Sequence, residues 1–308
     1  MQNEKNQNNQ NSKLEELKKK LNFSIILIDK PAGPTSFDVS NKVNKILRDF
    51  GISKTSHFGT LDPQVIGVLP VAIGRACKLT GFFLGHDKVY IGKMHLHKEI
   101  SIEELQKVID KEFSGIIKQL PPKKSRVKRQ LREREIKLFQ LTKKEGQNFS
   151  FETEVQGGTY IRKLCHDLGE KTGLGAHMTE LRRTRAGIFD DSNLFLLNQL
   201  EETIKEAKEG KIEAIAKLDK MLIPAEDAIK QVFEIIELPN NKKSEELVKK
   251  LLTGKPIFKQ DLDEKEFSKI EEEKFALFFK NKLIEIAKKA SEEDKKQGII
   301  ARPDFVYN

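Results

Sequence analysis

His57-Phe-Gly-Thr-Leu-Asp62-Pro-Gln-Val-Ile-Gly67-Val-Leu-Pro-Val-Ala-Ile-Gly74-Arg-Ala-Cys-Lys-Leu79 decides how this chain is read. Pro63 biases Asp62 away from helix and Gly59 permits a tight approach, so the centre of the string reads as a loop presenting one carboxylate. The apolar run from Val65 to Ile73 anchors that loop in a core. A lone carboxylate on a rigid, apolar-backed loop suits a nucleophile or a base. An aspartate before proline also caps helices and closes Asx-turns, and by residue type alone that plainer role is the commoner one.

The whole string is more specific than its parts. His57, Gly59-Thr60-Leu61-Asp62-Pro63, Gly67, Leu69-Pro70 and Gly74-Arg75-Ala76 together resemble the signature of the TruB/dyskerin family of pseudouridine synthases. The resemblance implies that Asp62 is the catalytic residue. It also implies that His57 faces RNA and helps to evert the target nucleotide.

On the N-terminal side, Phe23 to Ile28 reads as a buried strand. It enters the stiff turn Lys30-Pro31-Ala32-Gly33-Pro34-Thr35-Ser36. Thr35 and Asp38 make a capping box for a helix whose apolar stripe is Phe37, Val43, Ile46, Leu47 and Phe50, ended by Gly51. The turn resembles the archaeal and eukaryotic branch of the family, where it packs beside the catalytic loop.

On the C-terminal side, Lys88 to His97 alternates as a half-buried strand with Tyr90, Gly92, Met94 and Leu96 on one face. A strand tyrosine is usually core or sheet surface. A base lifted from RNA, however, needs a flat partner, and stacking contributes roughly 1–3 kcal/mol per base. The resemblance makes Tyr90 that partner. Ser101 and Glu104 form a second capping box. Residues 121–137 then hold eight basic and two acidic residues. Counterion release makes Lys123, Lys124, Arg126, Lys128 and Arg129 candidate RNA contacts.

Phe151 to Val155 is a strand, and Gly157-Gly158 permits a tight turn from which Tyr160 and Arg162 emerge at a helix start. Arginine in a first helical turn opposes the helix dipole unless a carboxylate partners it. The resemblance supplies Asp62 as that partner. It also packs Tyr160 beneath the sugar and base, and lines the uracil pocket with Leu181. Arg182, Arg183 and Arg185 are basic enough to touch phosphate, or to form internal salt bridges.

Hydrophobic content of 37% and charged content of 33% are those of a globular protein with a charged surface. The polar segment 1–12 is predicted to be disordered, with a short charged helix over Lys13 to Leu21, and neither a signal peptide nor a membrane span is expected. Residues 223–308 hold 17 Lys+Arg against 18 Asp+Glu, so the basic excess lies in residues 1–222, with 39 against 29. A polyanion-binding face requires such an excess. Cys77 and Cys165 read as free thiols. His95 and His97 alternate on a strand, but no Cys or Asp cluster completes a metal site. No metal and no cofactor is therefore expected.

The expected fold is α/β (α+β). A charged tail over 1–22 precedes a mixed sheet with flanking helices over 23–222. A small β-barrel over 223–308, with Ser244 to Leu252 helical and a hairpin turning at Lys280-Asn281, resembles a reduced PUA domain. The function implied by the resemblance is isomerisation of uridine to pseudouridine in tRNA or rRNA. The branch-specific motifs imply the catalytic subunit of an H/ACA ribonucleoprotein, with guide RNA and small partner proteins, in the cytoplasm of an archaeal-type cell. A standalone tRNA T-loop synthase is the nearer alternative, and a non-catalytic RNA-binding assembly protein the more distant one.

Overall fold

The computed structural model describes residues 2–122 and 128–308, with side chains from Ser12 onward. It divides into two compact units, Met1–Leu222 and Ile223–Asn308.

The first unit opens on α1 (Gln2–Leu21). Disorder is predicted from the polar composition of residues 1–12, yet the helix begins at Gln2. Leu17 and Leu21 are buried and Leu14 packs against them. These anchors hold the last turns, and propagating a helix from an existing turn costs far less than starting one.

The strands are β1 (Phe23–Lys30), β2 (Thr55–His57), β3 (Ile66–Gly74), β4 (Lys88–Leu96), β5 (Gly115–Gln119), β6 (Arg132–Glu145), β7 (Asn148–Val155), β8 (Ala176–Ala186) and β9 (Phe189–Asp190). The main sheet runs β1-β3-β8-β4-β7-β6-β5, with β2 paired to β3 and β9 to β8. All these pairings are antiparallel except β3 with β8. That parallel junction is short, Ile66 and Gly67 against Arg182 and Arg183. Gly67 has φ 103°, and a Cβ there would stand 2.2 Å from the Arg183 carbonyl oxygen. Only glycine allows so close a crossing.

The helices are α2 (Ser36–Leu47), α3 (Thr80–Phe83), α4 (Ile102–Glu112), α5 (Ile161–Thr172), α6 (Leu197–Lys208) and α7 (Ile212–Met221). Both expected capping boxes, Thr35 with Asp38 and Ser101 with Glu104, are formed. The α2 stripe differs from expectation: Phe37 is 68% exposed, while Val39 takes an inward place beside Val43, Ile46 and Leu47. Residues 39, 43, 46 and 47 share one face at helical spacing, and residue 37 lies well off it. One core joins β1, β3, α1, α2, α6 and α7. Another joins β4, β6, β7, α4 and α5, and includes Leu61 and Val65.

The second unit is a five-stranded sheet in the order 234–238, 274–279, 282–289, 299–306, 257–258. Its first pair is parallel and the rest antiparallel. The expected hairpin is present: Lys280 and Asn281 both take positive φ, 53° and 60°, as a two-residue type I′ turn requires. A helix at Lys242–Leu251 is capped by the Asn241 side chain. In the first unit, Cys165 is buried and Cys77 half-buried, both free. Among the described residues no helix is long and apolar enough to cross a membrane.

Candidate active site

The loop carrying Asp62 is fastened on every side. Lys30, the last residue of β1, is fully buried, and its Nζ donates to the carbonyls of Pro31 (2.9 Å), Pro63 (3.0 Å) and Val65 (2.9 Å). Gly33 N–H adds a second bond to the Pro63 carbonyl at 2.9 Å. Ser36, at the start of α2, accepts from Leu61 N–H (2.8 Å) and donates to the Leu61 carbonyl (3.0 Å). Val65 N–H closes the turn on the Asp62 carbonyl at 3.0 Å. The turn at residues 30–36 thus packs against the backbone on both sides of Asp62. Burial lowers the Lys30 pKa, and the Asp62 carboxylate opposes that shift.

Arg183 supports the loop from behind. It is 1% exposed, with Nε donating to the Val68 carbonyl (2.9 Å) and an Nη to the Gly59 carbonyl (3.0 Å). Desolvation lowers its pKa, and the neighbouring Tyr90 side chain partly offsets this by charge and hydrogen bonding. Lys88 is also buried and bonds the carbonyls of Leu84 and His86. Burial, with Arg183 nearby, pushes its pKa down to about 8.

The Asp62 carboxylate is half exposed and meets the Arg162 guanidinium at 3.2 Å. Arg162 stands in the first turn of α5, whose N-cap residue is Tyr160. Gln119, buried at the end of β5, fixes that entry with two bonds: its Oε1 accepts from Tyr160 N–H (2.8 Å) and its Nε2 donates to the Tyr160 carbonyl (3.1 Å). The residues just before the ion pair, Leu61 and Ile161, sink into the same apolar cluster as Tyr90 and Leu181. Tyr90 is only 8% exposed and Leu181 only 7%. Gly92, opposite Leu181 on β4, makes room for them, because a Cβ there would meet Phe151 at 2.6 Å and Leu181 at 2.9 Å.

His57 opens the loop half-buried, with Nδ1 3.4 Å from Ser40 Oγ and Nε2 3.3 Å from Thr60 Oγ1. Burial and the Arg183 charge lower its pKa, so the ring is neutral near pH 7. It can exchange hydrogen bonds there but brings no charge.

The arginine-rich segment corrects the sequence reading. Arg183 cannot meet phosphate because it is buried, and Arg182 is held in a two-bond pair with Asp29 (3.0 and 3.2 Å). Arg185 is likewise paired, with Glu154 at 2.7 Å. The signal was periodicity: on strand β8, Arg183 falls on the same face as Leu181. Lys128 and Arg129 are exposed. Lys123, Lys124 and Arg126 lie outside the described residues. Ser36, Gln119 and Lys30 were not legible as site residues, since Leu61, Tyr160, Pro63 and Val65, which they bind, are far off in sequence.

The family model for the TruB family pseudouridylate synthase N-terminal domain matches residues 47–161, and that for the tRNA pseudouridylate synthase B C-terminal domain matches residues 162–230. The chain belongs to the TruB family. It is 41% identical over 215 residues to a probable tRNA pseudouridine synthase B of Korarchaeum cryptofilum, covering 70% of this chain and 65% of the relative. The chain thus spans less than two thirds of the length of that curated relative. Among solved structures it resembles a Cbf5–Nop10–Gar1 complex (TM-score 0.79, 32% identity, 94% of this chain and 86% of that chain). It also resembles an H/ACA ribonucleoprotein bound to a substrate RNA containing 2′-deoxyuridine (TM-score 0.77, 30% identity, 94% and 86%).

Proposed function

We propose that this chain isomerises uridine to pseudouridine in RNA, with Asp62 as the catalytic residue. The observation that carries the reading is the 3.2 Å pair between Asp62 and Arg162 on a loop tied down at Leu61, Pro63 and Val65. In the reaction the bond from N1 of uracil to C1′ breaks, through attack by Asp62 on C1′ or through a glycal intermediate. The base turns and C5 bonds to C1′, displacing Asp62 from C1′ or returning the C2′ proton to the glycal; the C5 proton then leaves and N1 takes up a proton. Arg162 aims the carboxylate, a charge-assisted contact with directional preference. Tyr90 stacks on the everted base, Leu181 lines its pocket, and Tyr160 supports sugar and base. His57 aids eversion, the step that takes the target out of its stack. Lys128 and Arg129, with Lys123, Lys124 and Arg126, contact the RNA backbone.

The chain acts as the catalytic subunit of an H/ACA-type ribonucleoprotein, with guide RNA and small partner proteins. Support comes from the likeness to the two solved complexes over 94% of this chain. The Gly-Pro-Thr-Ser turn and the Val-Lys-Arg segment support it from the sequence. Base pairing then selects the uridine, and the protein reads backbone and shape. The test is to map pseudouridines in tRNA and rRNA after incubation with the protein alone, and again with matched guide RNA and partners. The reading expects efficient modification of the chosen uridine only in the second case. Efficient single-site modification of the tRNA T-loop by the protein alone would establish the standalone alternative, and no pseudouridine in either case would remove both. Replacing Arg162 by Ala is expected to slow single-turnover isomerisation at least about a hundredfold, with RNA affinity in filter binding changed less than about threefold.

A further inference from the structure

Two arginines stand unpaired beside the turn that delivers Arg162. On β6, Arg132 and Arg134 fall at two-residue spacing with Ile136, which is buried in the cluster that also holds Leu61 and Tyr90. Side chains two apart on a strand share a face, so both arginines lie on the side of the sheet that carries the catalytic cluster. The pairing with β5 agrees. Ile117, directly opposite Arg134, packs against that cluster, and the buried Gln119 lies directly opposite Arg132. Glu133 and Glu135, on the other face of β6, are exposed.

Both arginines lie at the entry to α5. Gln119 holds Tyr160 by its N–H and its carbonyl, and side chains directly opposite across a strand pair stand about 4.5–5.5 Å apart at Cβ. Arg134 reaches the same turn: a Cβ on Gly158 would lie 3.2 Å from an Arg134 Nη and 3.4 Å from its Nε. From Gly158 the main chain reaches at most about 14 Å to Arg162, the partner of Asp62.

Nothing anionic answers this pair. Arg162, Arg182, Arg185 and Arg302 each meet a carboxylate, and Arg183 donates to two carbonyls. Arg132 and Arg134 are half-buried, yet among the described residues no carboxylate pairs with either. Arg134 donates to the carbonyl of its neighbour Glu133 (2.7 Å), and Arg132 Nε is buried with no hydrogen-bond partner. A buried donor without an acceptor costs free energy, and a ligand oxygen placed there removes that cost. The first turn of α5 contains no acidic residue, so the positive end of its dipole adds to the same field. Two adjacent guanidinium forks match the oxygens of a phosphate.

We propose that Arg132 and Arg134 hold one backbone phosphate next to the everted uridine and so fix its sugar over Asp62. The proposal rests on the reading of the chain as a pseudouridine synthase. It commits two residues to a single phosphate, a contact that positions the RNA without reading its sequence.

The test uses the full chain, in whichever assembly makes it active, and one RNA with a single target uridine. Each phosphate from two nucleotides before the target to two after it is replaced in turn by a neutral methylphosphonate. One replacement should weaken filter binding by the parent about tenfold or more, and binding by the double variant Arg132→Gln, Arg134→Gln by less than about twofold. On unmodified RNA the double variant should bind about tenfold or more weakly, with the slope of log affinity against log salt smaller by about one. Circular dichroism checks that the double variant folds, and either single variant repeats the test should it not. Equal losses in parent and variant at every phosphate, or affinity of the folded variant within about threefold of the parent, would overturn the proposal. These readings are of binding. A parent that binds the RNA but forms no pseudouridine therefore contradicts the catalytic reading alone, and one that does not bind overturns both.

Discussion

Both units bury charge-bearing side chains, and they treat them in opposite ways. In the first, Lys30, Lys88 and Arg183 are each 5% exposed or less, and all three donate to backbone carbonyls. In the second, Glu285 is fully buried on the strand 282–289, and neither carboxyl oxygen has a hydrogen-bond partner. Burial alone pushes its pKa up to about 8, so it is mostly protonated at neutral pH. Burying a cation is costly unless its donors are satisfied, so the two satisfied cations that bond the Asp62 loop and the strand after it, Lys30 and Arg183, signify fixed geometry. A lone buried acid fixes nothing and is a liability to its own unit.

The sharpest way to break this contrast is at the β3–β8 crossing. Gly67→Ala places a Cβ against the Arg183 carbonyl at a positive φ, and the main chain has no room to yield. We expect a loss of roughly 3–5 kcal/mol in denaturant unfolding, with activity falling in parallel. A near-neutral result would mean that the strands separate freely and that the loop is not clamped from below.

Lys30→Met keeps the apolar stem and removes the donor. The carbonyls of Pro31 and Val65 lose a bond, and Pro63 keeps only that from Gly33. The expected cost is about 2–4 kcal/mol, since buried acceptors left unpaired offset any relief from not burying the charge. Turnover should fall even at temperatures where the variant is folded. Full turnover in the folded variant would show that the clamp serves stability alone.

The smallest effect, and opposite in sign, is expected at Glu285. Glu285→Leu should stabilise the second unit by about 1–3 kcal/mol at neutral pH. The folded-state pKa is raised above the ordinary 4.5 to about 8. The native protein therefore holds a proton that the unfolded chain releases, and stability falls as pH rises through that window, levelling above about 8. Thermal scans across the window should show this slope in the parent chain and its loss in the variant. An unchanged slope would assign the pH dependence to other groups.

Much of the site was legible because its parts are local. The loop around Asp62, the capping boxes on Thr35 and Ser101, and the turn that delivers Arg162 each depend on residues within a few positions of one another. Arg182, Arg183 and Arg185 were read as phosphate contacts or internal salt bridges, and without the strand period of β8 the burial of Arg183 could not be told from the exposure of a surface cation. Gln119 and the carbonyls bound by Lys30 belong to contacts between distant segments, which local patterns do not encode. Phe37 shows the converse error: an apolar residue in a helix was assigned inward when its angular position faces out.

The central claim is that Asp62, held in this clamp, is the group that isomerises uridine. The direct measurement is tritium release from C5-labelled uridine in RNA by Asp62→Asn, in whichever assembly makes the parent active, with folding checked by circular dichroism. The substitution keeps the size of the side chain and one acceptor oxygen, and removes the carboxylate with its charge. The account predicts a folded protein that binds RNA and releases no tritium above background; release within about tenfold of the parent, a difference of only about 1.4 kcal/mol in the barrier, would contradict it.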